Sequence, residues 1–179
     1  DAANTIELGK GADQDLVKPL ARKLNKIFKN IYLSSKVISV KNNKNKKLDV
    51  TINKKNNSSD IIEVYDKVLL SIGRKPNTNN LGLEQLGITL SKDGFIPVNI
   101  KRQTTLSNIY AIGDITGNPM LAHKATHEGK VAAEVISGHK SSFEPAVIPA
   151  VIFTDPEIAW AGPTELELQQ QNIQYEKSE

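Results

Sequence analysis

Apolar and polar positions along the chain follow two periods, and each period predicts one kind of element. Between residues 14 and 27 the apolar positions repeat with the 3.6-residue period of a helix, at Leu16, Leu20, Leu24 and Ile27. Asp13 is placed to cap this helix, and Pro19 is expected to kink it or to move its start later. A second helix is predicted from about Leu121 to Ser137, with Gly138 at the left-handed position that often follows a helix.

Other segments alternate as β-strands do. IYLSSKVISV, LDVTIN and IIEVYDKVLLSIG are separated by turns rich in Asn, Lys and Ser, which predicts an antiparallel meander. VLLSI is the most apolar run and is predicted to be a strand buried on both faces, and IYAI is predicted to be a further strand. Asp93-Gly94 predicts a hairpin turn. EPAVIPAVIFTDPEIAWAG predicts strands around a Thr-Asp-Pro-Glu turn, and Thr164 with Glu167 predicts a capping box at a last helix.

Composition and charge narrow the class of protein. The 179 residues are 39% hydrophobic and 24% charged, as in a globular protein, and the net charge is only +3. Seven lysines lie between Lys36 and Lys55, but this segment lacks the interleaved aromatics that stack bases, so a solvated hairpin is favoured over an RNA-binding one. No run approaches the ~18 apolar residues of a membrane span. We therefore expect neither a nucleic-acid nor a membrane partner, and a cytoplasmic location.

Gly113 and Asp114 follow the IYAI run at the point where a strand would end. Ligands of open α/β sheets bind at this end of the strands, where a glycine permits close approach and a carboxylate can bind hydroxyl groups. The helix predicted after Pro119 would direct its backbone amides and the positive end of its dipole toward such a ligand. The alternative is an ordinary turn, because Gly-Asp is common in turns.

Other polar residues carry weaker signals. His123 and His127 lie four residues apart, a spacing that can hold a metal, but the chain has no cysteine and no third ligand is evident, so no metal site is predicted. The absence of cysteine also excludes disulfides and thiol chemistry within this chain. Arg74 can bind a phosphate or carboxylate, or can form an ion pair, and the sequence leaves both open. Trp160, the only tryptophan, is expected in the core.

Two segments taken together resemble the flavoprotein disulfide reductases: VLLSIGRKPN and, about thirty residues later, TTLSNIYAIGDITGNPMLAHKATHEG. IPAVIFTDPEIAWAGPTE extends the similarity. The resemblance implies an α/β fold with partial Rossmann-like (three-layer ββα) FAD- and NAD-binding units, followed by the start of an α+β dimerisation domain. The implied segments are the end of the NAD domain (1–73), the return segment of the FAD domain (74–142) and the start of the dimerisation domain (143–179).

The resemblance also implies residue roles. Asp114 would hydrogen-bond the ribityl chain of FAD, with Gly113 beside it. The pyrimidine edge of the flavin would lie against the backbone of Met120, Leu121, Ala122 and His123. The candidate NAD-binding residues are Val37, Gly73 and Arg74. Glu7 is a further candidate, for the adenosine ribose of NAD.

The implied activity is oxidation of protein-bound dihydrolipoamide, through a redox disulfide and FAD, with formation of NADH. The implied partners are a second copy, in a homodimer, and the lipoyl-bearing acyltransferase of a 2-oxoacid dehydrogenase complex. The sequence lacks both glycine-rich pyrophosphate motifs, the redox cysteines and the C-terminal His-Glu pair of the family. We therefore expect an internal piece that is inactive alone and exposes apolar surface at VLLSIG and IYAIG. The alternatives are another pyridine-nucleotide disulfide oxidoreductase, such as a mercuric reductase, and a non-catalytic binding or scaffold module.

Overall fold

The computed structural model describes residues 11–54 and 59–177. Contacts divide the chain into two compact units, of which the first comprises the residues up to 71 and those from 149 onward, and the second comprises residues 72–148. This grouping differs from the three segments predicted above. Those segments concern the domains of a whole family member and stay predictions.

Helix α1, Gln14–Ile27, opens the described part of the first unit. Its start is where the sequence predicts it and Pro19 lies inside the helix, so a later start caused by Pro19 was wrong. Val17 and Leu20 are buried in a cluster with Ala12 and Ile158. Leu16 and Ile27, by contrast, are 44% and 62% exposed, so the buried face is narrower than the predicted stripe.

The predicted meander is confirmed as a three-stranded antiparallel sheet in the order β1-β2-β3. The strands are β1 (Ser35–Asn42), β2 (Leu48–Lys54) and β3 (Ile61–Tyr65). The β1–β2 register shifts between Val37 and Ser39. Most of β1 is exposed, which agrees with a solvated hairpin at the lysine-rich segment.

The hydroxyls of two tyrosines converge on one carboxylate of the edge strand β3. The hydroxyls of Tyr32 and Tyr65 both donate to Glu63. Because the negative carboxylate stabilises the protonated phenol, the hydrogen bond raises the pKa of Tyr65 to about 12. The hydrogen bonds from Tyr32 and Tyr65 in turn lower the pKa of Glu63.

The first unit ends with a two-stranded antiparallel sheet and a short helix. Strands β4 (Ala150–Ile152) and β5 (Ile158–Trp160) flank the predicted turn, and Trp160 packs against the α1 cluster as expected. Helix α3, Glu165–Gln170, begins at the predicted capping box. Asp13, instead of capping α1 with its side chain, accepts a hydrogen bond from the Glu165 amide at 2.9 Å and so joins the starts of α1 and α3.

The second unit consists mainly of turns packed on Ile88, Ile96 and Ala111, followed by one long helix. The predicted Asp93-Gly94 turn is present: the Ser91 amide donates to the Phe95 carbonyl at 2.8 Å and Gly94 has a φ of +83°. The residues on either side of it are not strands, so the predicted hairpin does not form. A single 3-10 turn, Gly113–Ile115, precedes helix α2, Ala122–Ile136. Gly138 has a φ of +87°, as predicted.

Two predicted strands do not form. VLLSI is not a strand, and Leu69, Leu70 and Ile72 are 93%, 74% and 83% exposed, so its predicted burial was wrong. IYAI makes only an isolated bridge, between Tyr110 and Gln103, although Ala111 is buried. The reason is that a strand needs hydrogen-bonded neighbours, and no strand in the described ranges pairs with either run. The separate expectation that an internal piece exposes apolar surface is confirmed at VLLSIG, but at IYAIG only Ile112 is exposed and Ala111 is buried.

We expect Leu20→Ala to lower the free energy of unfolding by about 3 kcal/mol, because it leaves a cavity in the α1 cluster. Leu16→Ala removes the same atoms from a half-exposed position of the same helix and should cost less than about 1 kcal/mol. Urea unfolding followed by Trp160 fluorescence measures both values. Equal losses in the two variants would contradict the observed orientation of α1.

Candidate functional site

The 3-10 turn at Gly113–Ile115 requires a glycine at its first position. Gly113 is buried with a φ of +80°, a conformation that other residues rarely adopt. A Cβ at this position would lie 3.3 Å from the Cβ of Ala125 on α2. The turn can therefore approach α2 closely only because residue 113 has no side chain.

A buried carboxylate holds this turn. Glu128 on α2 is fully buried, and its Oε2 accepts a hydrogen bond from the Gly113 amide at 2.6 Å. Its Oε1 lies 2.9 Å from Arg102 Nη1 and 3.1 Å from Lys124 Nζ. Two cations thus compensate the burial of one negative charge.

Lys124 binds the same turn from its carbonyl side. Its ammonium group, on a side chain only 5% exposed, donates to the carbonyl oxygens of Gly113 and Gly117 at 3.2 and 3.1 Å. The turn is therefore held through both its N–H and its C=O groups. Sequence reasoning missed Glu128 and Lys124, because an i,i+4 Lys–Glu pair is usually found on a solvated helix face.

Asp114 follows directly, and its carboxylate remains accessible. Arg74 Nη2 lies 3.1 Å from Asp114 Oδ2, and the two side chains are 71% and 40% exposed. The ion pair that the sequence left open for Arg74 is thus present, and its predicted contact with NAD stays a prediction. This ion pair links Arg74, a predicted NAD-binding residue, to Asp114, a predicted FAD-binding residue.

The contacts of Lys124 and Glu128 with Gly113 hold the start of α2 beside the turn. Leu121 occupies the N-cap position and has no side-chain acceptor for the amides of the first turn. Met120 and Leu121 are half-buried, whereas Ala122 and His123 are exposed. The small residues further along allow close packing, as expected, since a Cβ on Gly129 would lie 3.2 Å from Ile112 Cδ1.

The remaining candidates belong to different units. Val37 lies on β1 in the first unit and is 56% exposed, whereas Gly73 and Arg74 belong to the second unit. Gly73 has a φ of +120° and no atom near its missing Cβ. Glu7 lies outside the described residues.

The described residues offer no cluster of His, Asp and Glu side chains that could bind a metal. His127 instead packs edge-on against Phe143, with ring centroids 5.0 Å apart. None of the helices in the described part of the chain has the length and apolarity that a bilayer crossing requires.

A family model described as pyridine nucleotide-disulphide oxidoreductase matches residues 3–129, and the chain belongs to this family. Two solved structures share the fold. LpdA from Mycobacterium tuberculosis has a TM-score of 0.78 at 27% identity, over 90% of this chain and 34% of that one. The flavoprotein disulfide reductase RclA from Escherichia coli has a TM-score of 0.78 at 23% identity, over 92% of this chain and 37% of that one. The predicted α/β fold class is confirmed.

Several relatives carry the name dihydrolipoyl dehydrogenase. The chain is 47% identical over 166 residues to the one from Buchnera aphidicola of Schizaphis graminum, which covers 93% of this chain and 34% of the relative. It is 45% identical over 165 residues to the one from Vibrio cholerae, an alignment that covers 92% of this chain and 34% of the relative. It is 41% identical over 167 residues to the human mitochondrial one, with 93% of this chain and 33% of the relative covered. The chain thus spans about a third of the length of these curated relatives.

We expect Lys124→Met to lower the free energy of unfolding by about 3 kcal/mol, because the buried carboxylate of Glu128 loses one of its two cationic partners. Lys130→Met is the matched control. Lys130 is 73% exposed and lies 3.9 Å from Glu134, also at i,i+4 on α2, so its loss should change stability by no more than about 0.5 kcal/mol. Urea unfolding followed by far-ultraviolet circular dichroism measures the difference. A Lys124 variant as stable as the control would show that the buried pair does not stabilise α2.

Proposed function

We propose that this chain is a segment of a dihydrolipoyl dehydrogenase, an enzyme that oxidises protein-bound dihydrolipoamide and forms NADH. The observation that carries the proposal is the 41–48% identity to relatives of that name, which extends over more than nine-tenths of the chain. The relatives named above give no support to a mercuric reductase or to a scaffold module. A homodimer, a lipoyl-bearing acyltransferase partner and a cytoplasmic location belong to the same proposal and rest on the family resemblance.

The polar groups at the Gly113–Asp114 turn and at the start of α2 fit a flavin. The Asp114 carboxylate can accept hydrogen bonds from ribityl hydroxyls. The exposed first turn of α2 presents backbone amides and the positive end of the helix dipole to an electron-rich ring edge, near Ala122 and His123. FAD would supply a two-electron carrier that accepts electrons from a dithiol and passes a hydride to the nicotinamide.

This chain's own residues would bind and orient the cofactor. Asp114 fixes the ribityl chain, and Arg74 restrains Asp114 through its ion pair. The start of α2, around Leu121 and Ala122, stabilises negative charge that develops on the adjacent ring edge. Val37, Gly73 and Arg74 remain the proposed contacts of NAD.

The role of Asp114 can be tested in a chimeric enzyme in which this chain replaces the matching third of the Vibrio cholerae relative. Asp114→Asn keeps the shape of the side chain but loses the charge-assisted hydrogen bonds. We expect the Kd for FAD, measured by flavin fluorescence quenching on the apoprotein, to rise about 10- to 100-fold.

Asp93→Asn is the control, because Asp93 is an exposed carboxylate in another turn of the same unit. It should leave the Kd unchanged. Equal affinity of the Asp114 variant and the control, or a folded chimera that holds no flavin, would contradict the proposed flavin site.

The 179-residue chain alone should show no NAD-dependent oxidation of dihydrolipoamide, with or without added FAD. The physical reason is that the dithiol–disulfide exchange needs two protein cysteines, and the sequence contains none. NADH formation followed by absorbance measures this, with the Vibrio cholerae relative as the positive control. Turnover by the purified chain would contradict the mechanism proposed here.

A further inference from the structure

We propose that Glu128 is a positioning residue that acts through Asp114 and sets the affinity of the protein for FAD. This inference rests on the flavin site proposed above. Glu128 is buried behind the Gly113–Asp114 turn, on the side of α2, and its carboxylate contacts the residue that precedes Asp114.

The clamp formed by Glu128 and Lys124 fixes both peptide planes around Gly113. Glu128 Oε2 accepts from the Gly113 amide at 2.6 Å, which holds the plane before this residue. Lys124 Nζ donates to the Gly113 carbonyl at 3.2 Å, which holds the plane that leads into Asp114. The direction in which the Asp114 backbone leaves the turn is therefore set by two buried side chains of α2.

The ion pair of Asp114 with Arg74 is too exposed to do this alone. At 71% and 40% side-chain exposure, such a pair is weakened by solvent and by the freedom of the arginine side chain. The contacts of Glu128 are fully desolvated, so they restrain the turn far more strongly. The orientation of Asp114 is thus set mainly by the buried contacts of Glu128 and Lys124 with Gly113, and less by the exposed ion pair with Arg74.

The chemistry of the clamp requires a carboxylate. Groups that donate hydrogen bonds reach both oxygens: the Gly113 amide reaches Oε2, and Arg102 and Lys124 reach Oε1. A glutamine would turn its NH₂ group toward at least one of these donors. Glu128→Gln therefore breaks the clamp while leaving the volume of the side chain almost unchanged.

A double-mutant cycle on the chimeric enzyme separates positioning from general stabilisation. We expect Glu128→Gln to raise the Kd for FAD about tenfold. If Glu128 acts through Asp114, the double variant with Asp114→Asn should bind FAD within about twofold of Asp114→Asn alone, because there is no oriented carboxylate left to lose.

Val131→Ala is the matched control, since Val131 is a buried residue of α2 that lies one turn beyond Glu128. A loss caused only by weaker packing should add to that of Asp114→Asn.

Glu128→Asp is the second variant, in case the glutamine variant does not fold. It keeps the negative charge but is one methylene too short to hold the Gly113 amide, and we expect the same non-additivity.

A cofactor-free measurement tests the clamp in the 179-residue chain itself. The Gly113 amide proton should resonate far downfield and exchange slowly, because it donates to a buried carboxylate at short range. Glu128→Gln and Glu128→Asp should move it upfield and speed its exchange, whereas Val131→Ala should leave it in place.

Additive losses of Glu128→Gln and Asp114→Asn would overturn the inference, and so would a Gly113 resonance that is unchanged in both Glu128 variants. An Asp114→Asn variant with full FAD affinity is a different outcome. It would overturn the proposed flavin site, and the positioning role would fall with it.

Discussion

The second unit depends on a carboxylate that has no access to water. Burying the charge of Glu128 costs several kcal/mol unless cations and hydrogen bonds compensate for it. The compensation comes from three places in the sequence: the turn at Arg102, the turn at Gly113 and the preceding helical turn at Lys124. Because Glu128 contacts groups from all three places, this one side chain fixes how the turns meet the helix.

Arg102 shows how far this requirement extends. Its backbone has a φ of +64°, which is unusual for a residue other than glycine. Its guanidinium group binds Glu128, donates to the Asn99 carbonyl at 2.9 Å and lies 4.8 Å from the centre of the Phe143 ring. One cation thereby links the Asn99–Arg102 turn, helix α2 and the segment that follows that helix.

Sequence periodicity was sufficient where an element contains its own stabilising contacts. The meander, α1, α2 and the capping box at Thr164 depend on local propensity and on short-range pairing, and all of them are present. VLLSI differs, because its burial depends on neighbouring strands rather than on its own residues. Periodicity reports that such a run favours an apolar environment, but not whether the rest of the chain supplies that environment.

The candidate site was predicted in its exposed parts and missed in its buried part. Gly113 and Asp114 stand out because glycine and aspartate follow an apolar run. Glu128 was missed because its spacing from Lys124 suggests a solvated pair. The sequence nevertheless contained a signal, because the charged pair shares a helix face with apolar residues that are buried. Lys124 lies two helical turns before Val131, and Glu128 lies just over one turn before Ala132.

The exposed run at residues 68–72 has a consequence for the behaviour of the chain in solution. A short exposed segment rich in β-branched and leucine residues can act as a template for intermolecular strand addition. In this chain the run is bracketed by Asp66 and Lys67 on one side and by Arg74 and Lys75 on the other. Charges at such flanks act as gatekeepers, because stacking identical chains in register would bring like charges together. Arg74 thus combines two tasks: it restrains a carboxylate within the fold and opposes self-assembly of the apolar run beside it.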